Sequence, residues 1–266
     1  MTAALKAVPG TRATSRSDEE WRLRRELAAC YRLVAHFKMT DLIFTHISMR
    51  VPGPEHHFLI NPYGLWFDEI TASNLVKIGL DGRAVEPTPY TVNPAGFVIH
   101  SAVHGAREDA HCVLHTHTKA GCAVAAQEQG LLPLNQIGME FYGNVAYHEY
   151  EGIALDLDEQ KRLVADLGTK PVMILRNHGT LVAGRTVGQA FSMMWHLEMA
   201  LQAQVDAMAC GSPLNMPSDA LGQRIASGGF NTPGTVRANG TVSPLGHLEW
   251  PALLRKLDRI DPSYRD

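Results

Sequence analysis

The chain has 266 residues, of which 45% are hydrophobic and 19% are charged, so it is long enough to bury a core and is unlike a disordered polymer. Its 24 basic and 27 acidic residues give a net charge of -3, which provides no electrostatic basis for binding nucleic acid or an anionic membrane. No uncharged run reaches the roughly 18 to 20 residues of a membrane-spanning helix. Four scattered cysteines without CxxC spacing and the lack of a signal-peptide pattern predict a cytoplasmic protein.

The predicted elements begin after an N-terminal arm. Residues 1–16 carry no apolar periodicity and are expected to be flexible. Ser17 followed by Glu20 has capping-box spacing, and apolar residues then recur every three or four positions up to Phe37, which predicts an amphipathic helix. Alternating side chains predict a strand over 42–51, and the Pro-Gly-Pro turn after it predicts a hairpin with 58–60.

The rest of the chain alternates between strand and helix patterns. Asn93 followed by Pro94 is predicted to cap a helix that runs to about Gly105, and Thr186 is predicted to begin the longest helix. The other predicted elements are strands over 75–80, 112–117, 145–147, 172–175 and 180–183 and helices over 118–127, 157–167 and 250–260. This interleaving predicts one layered α/β domain over 17–212.

The C-terminal part, residues 213–266, has a different composition. Between 213 and 244 it is rich in Gly, Pro, Ser and Asn and shows little periodicity. We therefore predict a long loop or a tail that wraps over the domain, followed by the short final helix.

The segment His115-Thr116-His117 is the strongest chemical signal. Side chains at i and i+2 of a strand share a face, so the two imidazoles point the same way, which suits a divalent transition metal. The alternative is that one ring faces solvent while the other fills a gap in the core. His178 lies in an Asn-His-Gly turn after a buried-type strand, where the role of third ligand would explain its placement. Three histidines would leave coordination positions open for water or substrate.

Several motifs together resemble the class II aldolase/adducin family, in its adducin-head-like branch. They are Thr-His-Ile-Ser at 45–48, Ile-Asn-Pro-Tyr-Gly at 60–64, Asp-Glu-Ile-Thr at 68–71, His-Thr-His at 115–117 and Leu-Arg-Asn-His-Gly at 175–179. The resemblance implies a three-layer αβα fold with a central, mostly antiparallel sheet, and a homotetramer with active sites between subunits. It also implies that His115, His117 and His178 bind a divalent metal, with zinc favoured and manganese or iron as alternatives.

The chain departs from the sugar-phosphate aldolases of that family at residues that handle substrate. Those enzymes carry an acidic residue four positions before the histidine that here is His100, whereas this chain has Gly96, so proton transfer at that point is lost. The two loops that hold their phosphate, here 61–64 and 93–96, carry bulkier residues or residues without a hydroxyl. We therefore expect Tyr63, Gly64 and Gly96 to contact a substrate that has no phosphate.

Other polar residues are candidates for a role at this site. The resemblance places Glu140 where related dehydratases have their catalytic glutamate, and a surface glutamate is the alternative. His46 stands where the aldolases often have asparagine; it is predicted to bind substrate or shuttle a proton, or else to be structural. Arg176 could bind a carboxylate or form a structural ion pair. His100 and His104 share a helix face and are predicted to pack between helices.

These features predict a divalent-metal-dependent lyase that acts on a small hydroxy or keto carboxylic acid. Aldol cleavage and decarboxylation, both through a metal-stabilised enediolate, fit equally well. One alternative is a non-haem iron oxygenase acting on an aromatic hydroxy or keto acid. The other is a non-catalytic, adducin-like assembly module, which the presence of all three histidines disfavours.

Overall fold

Seven strands form one sheet at the centre of the structure, a computed structural model that describes residues 16–152, 158–227, 235–236, 242–243 and 245–266. In chain order they are β1 (His46–Arg50), β2 (Phe58–Ile60), β3 (Val76–Ile78), β4 (Cys112–Thr116), β5 (Val145–His148), β6 (Val172–Leu175) and β7 (Gly179–Gly184). Their order across the sheet is β3-β2-β1-β4-β7-β6-β5, and every neighbouring pair except β5 with β6 is antiparallel. The mostly antiparallel central sheet is confirmed.

Helices cover both faces of this sheet. They are α1 (Asp18–His36), α2 (Pro94–Ala106), α3 (Lys119–Ala125), α4 (Gln136–Glu140), α5 (Glu159–Leu167), α6 (Val187–Ala209), α7 (Asp219–Ser227) and α8 (Glu249–Ile260). Apolar residues of α2 and α5 form one cluster with Met173 of β6, whereas those of α1 and α6 form another with Ile174. Because consecutive strand residues point to opposite faces, the two clusters lie on opposite sides of the sheet. The αβα layering is therefore confirmed.

The helix starts follow the predicted capping residues. The Ser17 hydroxyl accepts the Glu20 N–H at the start of α1, and the Asn93 side chain accepts the Ala95 N–H at the start of α2. Thr186 caps α6, the longest helix, in the same way. Each cap satisfies a backbone donor that the first turn of a helix leaves without a partner.

The strand predicted over 42–51 begins only at His46, so its first four residues were predicted wrongly. Leu42 and Thr45 have φ of 48° and 69°, in the left-handed region that a strand excludes. The Phe44 N–H donates to the Asp41 carbonyl at 2.8 Å, which closes a tight turn in front of β1. This turn brings Asp41 and Phe44 to the end of the sheet where the predicted site lies.

The C-terminal part contains a helix where a loop was predicted. Helix α7 begins after Ser218, whose carbonyl accepts the N–H groups of Leu221 and Gly222, and it packs on α4. A Cβ at Gly222 would lie 2.7 Å from Tyr142 Cδ2, so glycine lets the two segments approach closely. Two short strands, β8 (Thr235–Val236) and β9 (Val242–Ser243), pair with each other. Residues 1–15 of the predicted arm lie outside the described residues. Among the residues that the structure describes, no helix is long and apolar enough to cross a membrane.

Candidate metal centre

The fold brings His115, His117 and His178 together. His115 lies on β4, His117 follows that strand directly, and His178 lies in the turn between β6 and β7. Strand β7 pairs with β4 so that Leu181 lies opposite His115, which brings the turn over the two histidines. One nitrogen from each ring can be chosen such that all three lie within 4.8 Å of one another. The structure thus assembles the three predicted ligands at one point.

The turn that carries His178 depends on its two neighbours. Asn177 has φ of 55°, a left-handed conformation that asparagine tolerates better than most residues. A Cβ at Gly179 would lie 2.5 Å from the Thr116 carbonyl oxygen and 2.9 Å from the His117 ring. Real Cβ atoms do not approach so closely, so glycine is required here for His178 to reach the other two rings.

The hydrogen bonds of His115 and His117 leave both Nε2 atoms as acceptors. His115 Nδ1 donates to the Thr180 carbonyl at 2.9 Å, and His117 Nδ1 donates to the Asp41 carboxylate at 3.0 Å. A neutral ring that donates from Nδ1 has a lone pair on Nε2, the usual state of a metal-binding histidine. Those two Nε2 atoms are 2.8 Å apart. Two lone pairs at this distance repel unless a cation lies near both, so the donor set fits a divalent metal.

Burial favours the neutral form of His115 and His178, which metal binding needs. Burial, together with the neighbouring histidines His46, His178 and His117, lowers the pKa of His115 well below its ordinary value. Burial lowers the pKa of His178 to about 4. Because a protonated imidazole cannot bind a metal, these environments favour the binding state at neutral pH.

The three histidines lie on the wall of a cavity of about 370 Å³. Aromatic side chains make up much of the rest of the wall, and Tyr63 is the predicted substrate residue among them. The lining residues are Phe44, Thr45, His46, Tyr63, Asn93, Ala95, Ile99, His115, His117, Tyr150, Gly152 and His178. Gly64 follows Tyr63 with φ of 101°, and a Cβ built on it would meet no described atom within 4 Å.

His46 occupies the space that a side chain at position 96 would need. A Cβ built on Gly96 would lie 2.5 Å from His46 Cδ2 and 2.9 Å from Cγ. The His46 ring is buried and stacks on His115, with the ring centroids 5.1 Å apart. An acidic residue at 96 and this histidine conformation therefore exclude each other, which accounts physically for the departure at Gly96.

Four predicted site residues do not line this cavity: Gly64, Gly96, Glu140 and Arg176. The Glu140 carboxylate, at the end of α4, accepts a hydrogen bond from His196 Nδ1 of α6 at 2.8 Å, and Glu140 does not line the cavity. Arg176 donates to the carbonyls of Gln127 and Glu128 and lies 4.3 Å above the ring of Tyr147. Within one chain Glu140 and Arg176 have structural partners, and the roles of all four residues toward substrate stay predictions.

Sequence reasoning missed several residues of this site. Asp41 precedes His117 by 76 positions, and no local pattern links the two. Phe44 reaches the cavity from the turn in front of β1. The turn depends on left-handed conformations of Leu42 and Thr45. Because neither residue is a glycine, the sequence does not predict the turn.

Comparison with protein-family models matches residues 25–205 to the Class II Aldolase and Adducin N-terminal domain. A protein named "Putative aldolase class 2 protein" from Caulobacter vibrioides is 51% identical, with 94% of each chain covered. Mouse alpha-adducin is 41% identical over 98% of this chain, which spans 36% of the length of that adducin.

Solved structures agree with these matches. An aldolase II superfamily protein from Pseudomonas syringae is 50% identical, with a TM-score of 0.86 and coverage of 94% of this chain and 98% of that one. L-fuculose 1-phosphate aldolase from Glaciozyma antarctica is 26% identical, with a TM-score of 0.78 and 97% of each chain covered. The chain belongs to the class II aldolase/adducin family.

Proposed function

We propose that this protein is a divalent-metal-dependent carbon–carbon lyase that acts on a hydroxy or keto carboxylic acid without a phosphate group. The observation that carries the proposal is the pair of facing Nε2 acceptors of His115 and His117, with His178 beside them. A purely structural module has no need to hold two lone pairs 2.8 Å apart in a cavity. Zinc is the favoured metal, with manganese and iron as alternatives.

The proposed roles follow from the contacts. His115, His117 and His178 would hold the cation, while Thr180 and Asp41 orient the first two rings. A bound divalent cation supplies a Lewis acid that polarises a substrate carbonyl and stabilises developing negative charge. Of the two predicted proton-transfer residues, His46 lies on the cavity wall and Glu140 does not, so we place His46 beside the substrate.

The cavity disfavours a phosphate. Among the described residues that line it there is no lysine or arginine. The start of α2, which faces the cavity through Asn93 and Ala95, offers few free amides: Pro94 has no N–H, and the Asn93 side chain already accepts the Ala95 N–H. A helix start binds phosphate through such free amides. An uncharged or carboxylate-bearing substrate is therefore the better fit.

Two features support a partly aromatic, polar substrate. Phe44, Tyr63 and Tyr150 give the wall a large aromatic surface. The Thr45 hydroxyl is buried and has no hydrogen-bond partner among the described residues. Buried polar groups are normally satisfied, so a polar group of a bound substrate would complete the site at this point.

The test is a turnover assay on metal-loaded protein with aliphatic and aromatic hydroxy and keto acids, measuring release of aldehyde, pyruvate or carbon dioxide. We expect turnover of at least one carboxylic acid, equal with and without oxygen, and none from a His115→Ala/His117→Ala double variant. Turnover that requires oxygen would instead support the iron oxygenase. The similarity to alpha-adducin keeps the assembly module as the second candidate, and metal-loaded protein without any turnover would favour it.

The predicted homotetramer is part of this proposal. Light scattering on the purified protein is expected to give four chains per particle, and a monomer would contradict this part alone.

A further inference from the structure

A chain of hydrogen bonds leads from the wall of the histidine cavity into the core. His46 Nδ1 and His100 Nε2 are 2.7 Å apart, and His100 Nδ1 lies 2.5 Å from the Ser48 hydroxyl. The same hydroxyl lies 2.6 Å from His104 Nε2, and His104 Nδ1 lies 3.0 Å from the Ala110 carbonyl. All four side chains are buried, with exposed fractions of 3% or less.

Two sequence periods build this chain. His46 and Ser48 are at i and i+2 on β1 and therefore share one face of the sheet. His100 and His104 are at i and i+4 on α2 and share one side of that helix. Because α2 packs across β1, the two pairs interleave in the order 46, 100, 48, 104.

The inner end fixes the direction of the first bonds. A carbonyl oxygen can only accept, so His104 Nδ1 must carry the proton that it shares with Ala110. Burial lowers the pKa of His104 to about 3, so the ring is neutral at pH 7 and its Nε2 has a lone pair. The Ser48 hydroxyl therefore donates its one proton to His104.

The direction of the two hydrogen bonds nearest the cavity follows from the proton of Ser48. With its proton used, the Ser48 oxygen accepts from His100 Nδ1, which leaves His100 Nε2 as an acceptor. His46 Nδ1 must then donate to His100 Nε2. His46 is left with an unprotonated Nε2, and no described residue forms a hydrogen bond with that atom.

We propose that Ser48, His100 and His104 are positioning residues that hold His46 as the Nδ1–H tautomer and so present its Nε2 to the cavity as a hydrogen-bond acceptor. The tautomer follows from the contacts above. Its use on a substrate rests on the proposed function: an acceptor on this wall binds a hydroxyl rather than a carbonyl oxygen, which narrows the substrate class to hydroxy acids.

The test reads the tautomer directly by nuclear magnetic resonance of zinc-loaded, 15N-histidine-labelled protein. Long-range proton–nitrogen correlations distinguish Nδ1–H from Nε2–H rings, and the His46 signals are those lost in a His46→Gln variant. We expect His46 to be the Nδ1–H tautomer in the wild-type protein. An Nε2–H His46 would overturn the proposal. The tautomer is measured in the wild-type protein, so this test does not depend on whether variants of Ser48, His100 or His104 fold.

Substitutions of Ser48 test the chain of hydrogen bonds that ends at His46. Ser48→Ala removes the acceptor for His100, so His100 can reverse its tautomer and a population of Nε2–H His46 is expected. Ser48→Thr keeps the hydroxyl and should retain the wild-type tautomer. Ser101→Ala is the matched control, because Ser101 is also buried beside this chain, on α2, but bonds to Val98 and Gln160 instead.

The outcomes separate the two proposals. Identical His46 spectra in the Ser48→Ala and Ser101→Ala proteins would overturn the positioning role. Lack of lyase turnover in the same preparation would refute the proposed function and leave the tautomer standing, because the spectroscopic measurement needs no turnover.

Discussion

The effect of Gly96→Ala on stability should depend on the residue at position 46: it should be destabilising beside His46 and stabilising beside alanine. In the wild-type background the new Cβ would lie 2.5 Å from His46 Cδ2. The ring cannot move aside, because its other contacts are the stacked ring of His115 and the hydrogen bond to His100. Gly96→Ala is therefore expected to destabilise the protein although alanine is the better helix former.

The magnitude follows from two opposing effects. Overpacking a well-filled site costs about 1–3 kcal/mol. Alanine inside a helix is favoured over glycine by about 0.5–1 kcal/mol. The net loss in the wild-type protein should thus be about 1–2 kcal/mol. In a His46→Ala background the clash is gone, so the same substitution should stabilise the protein, with a coupling energy of about 1–3 kcal/mol between the two positions.

Urea unfolding of the wild-type protein, both single variants and the double variant, at one protein concentration, measures this coupling. Gly105→Ala on the same helix is the control, since the nearest atom to its new Cβ is Leu80 Cδ1 at 4.0 Å, and it should stabilise by up to about 1 kcal/mol. Additive effects at 96 and 46, or a stabilising Gly96→Ala in the wild-type protein, would show that His46 does not occupy the space that a side chain at position 96 needs.

Three further predictions concern metal affinity, pH and a buried ion pair. Asp41→Ala removes the acceptor that orients His117, so a chelator competition should show metal affinity lowered by about 10–100-fold; unchanged affinity would contradict the role of Asp41. The pKa of His104 is about 3 when folded and about 6.5 when unfolded, so the unfolded chain binds the extra proton and stability should fall as pH drops below 6.5, by up to about 1.4 kcal/mol per pH unit from this residue. His104→Leu should flatten that slope in urea unfolding at pH 7, 6 and 5, and an unchanged slope would contradict the prediction. Arg24→Met breaks a buried pair with Glu20 and should cost about 3 kcal/mol in urea unfolding, the lower end of the range for such pairs, because Lys77 still contacts Glu20; Arg22→Met on the same helix breaks an exposed pair and should cost less than about 1 kcal/mol. Equal costs would show that burial does not control these ion pairs.

Local patterns predicted the parts of the fold that local energetics determine. Capping residues such as Asn93 and Thr186 marked helix starts, because a side-chain oxygen must satisfy the first backbone donors. The i and i+2 spacing of His115 and His117 predicted their common face, and the structure brings His178 to them. The resemblance supplied the αβα arrangement as a whole, which no single element could.

The contacts that join distant segments were not predictable in this way. His100 and His104 share one side of a helix as predicted, but the prediction that they pack between helices was wrong, because both face strand β1, where Ser48 lies between them. Asp41 reaches His117 only because left-handed residues turn the chain before β1. Glu140 was assigned by its position after the histidine strand, whereas its partner in the folded chain is His196.

We propose that His115, His117 and His178 bind a divalent metal. Elemental analysis of the purified protein, before and after reconstitution with zinc, manganese and iron(II), tests it directly beside the His115→Ala/His117→Ala variant. We expect close to one metal ion per chain in the wild-type protein and none in a variant that circular dichroism shows to be folded. A wild-type protein that stays free of metal after reconstitution would contradict it.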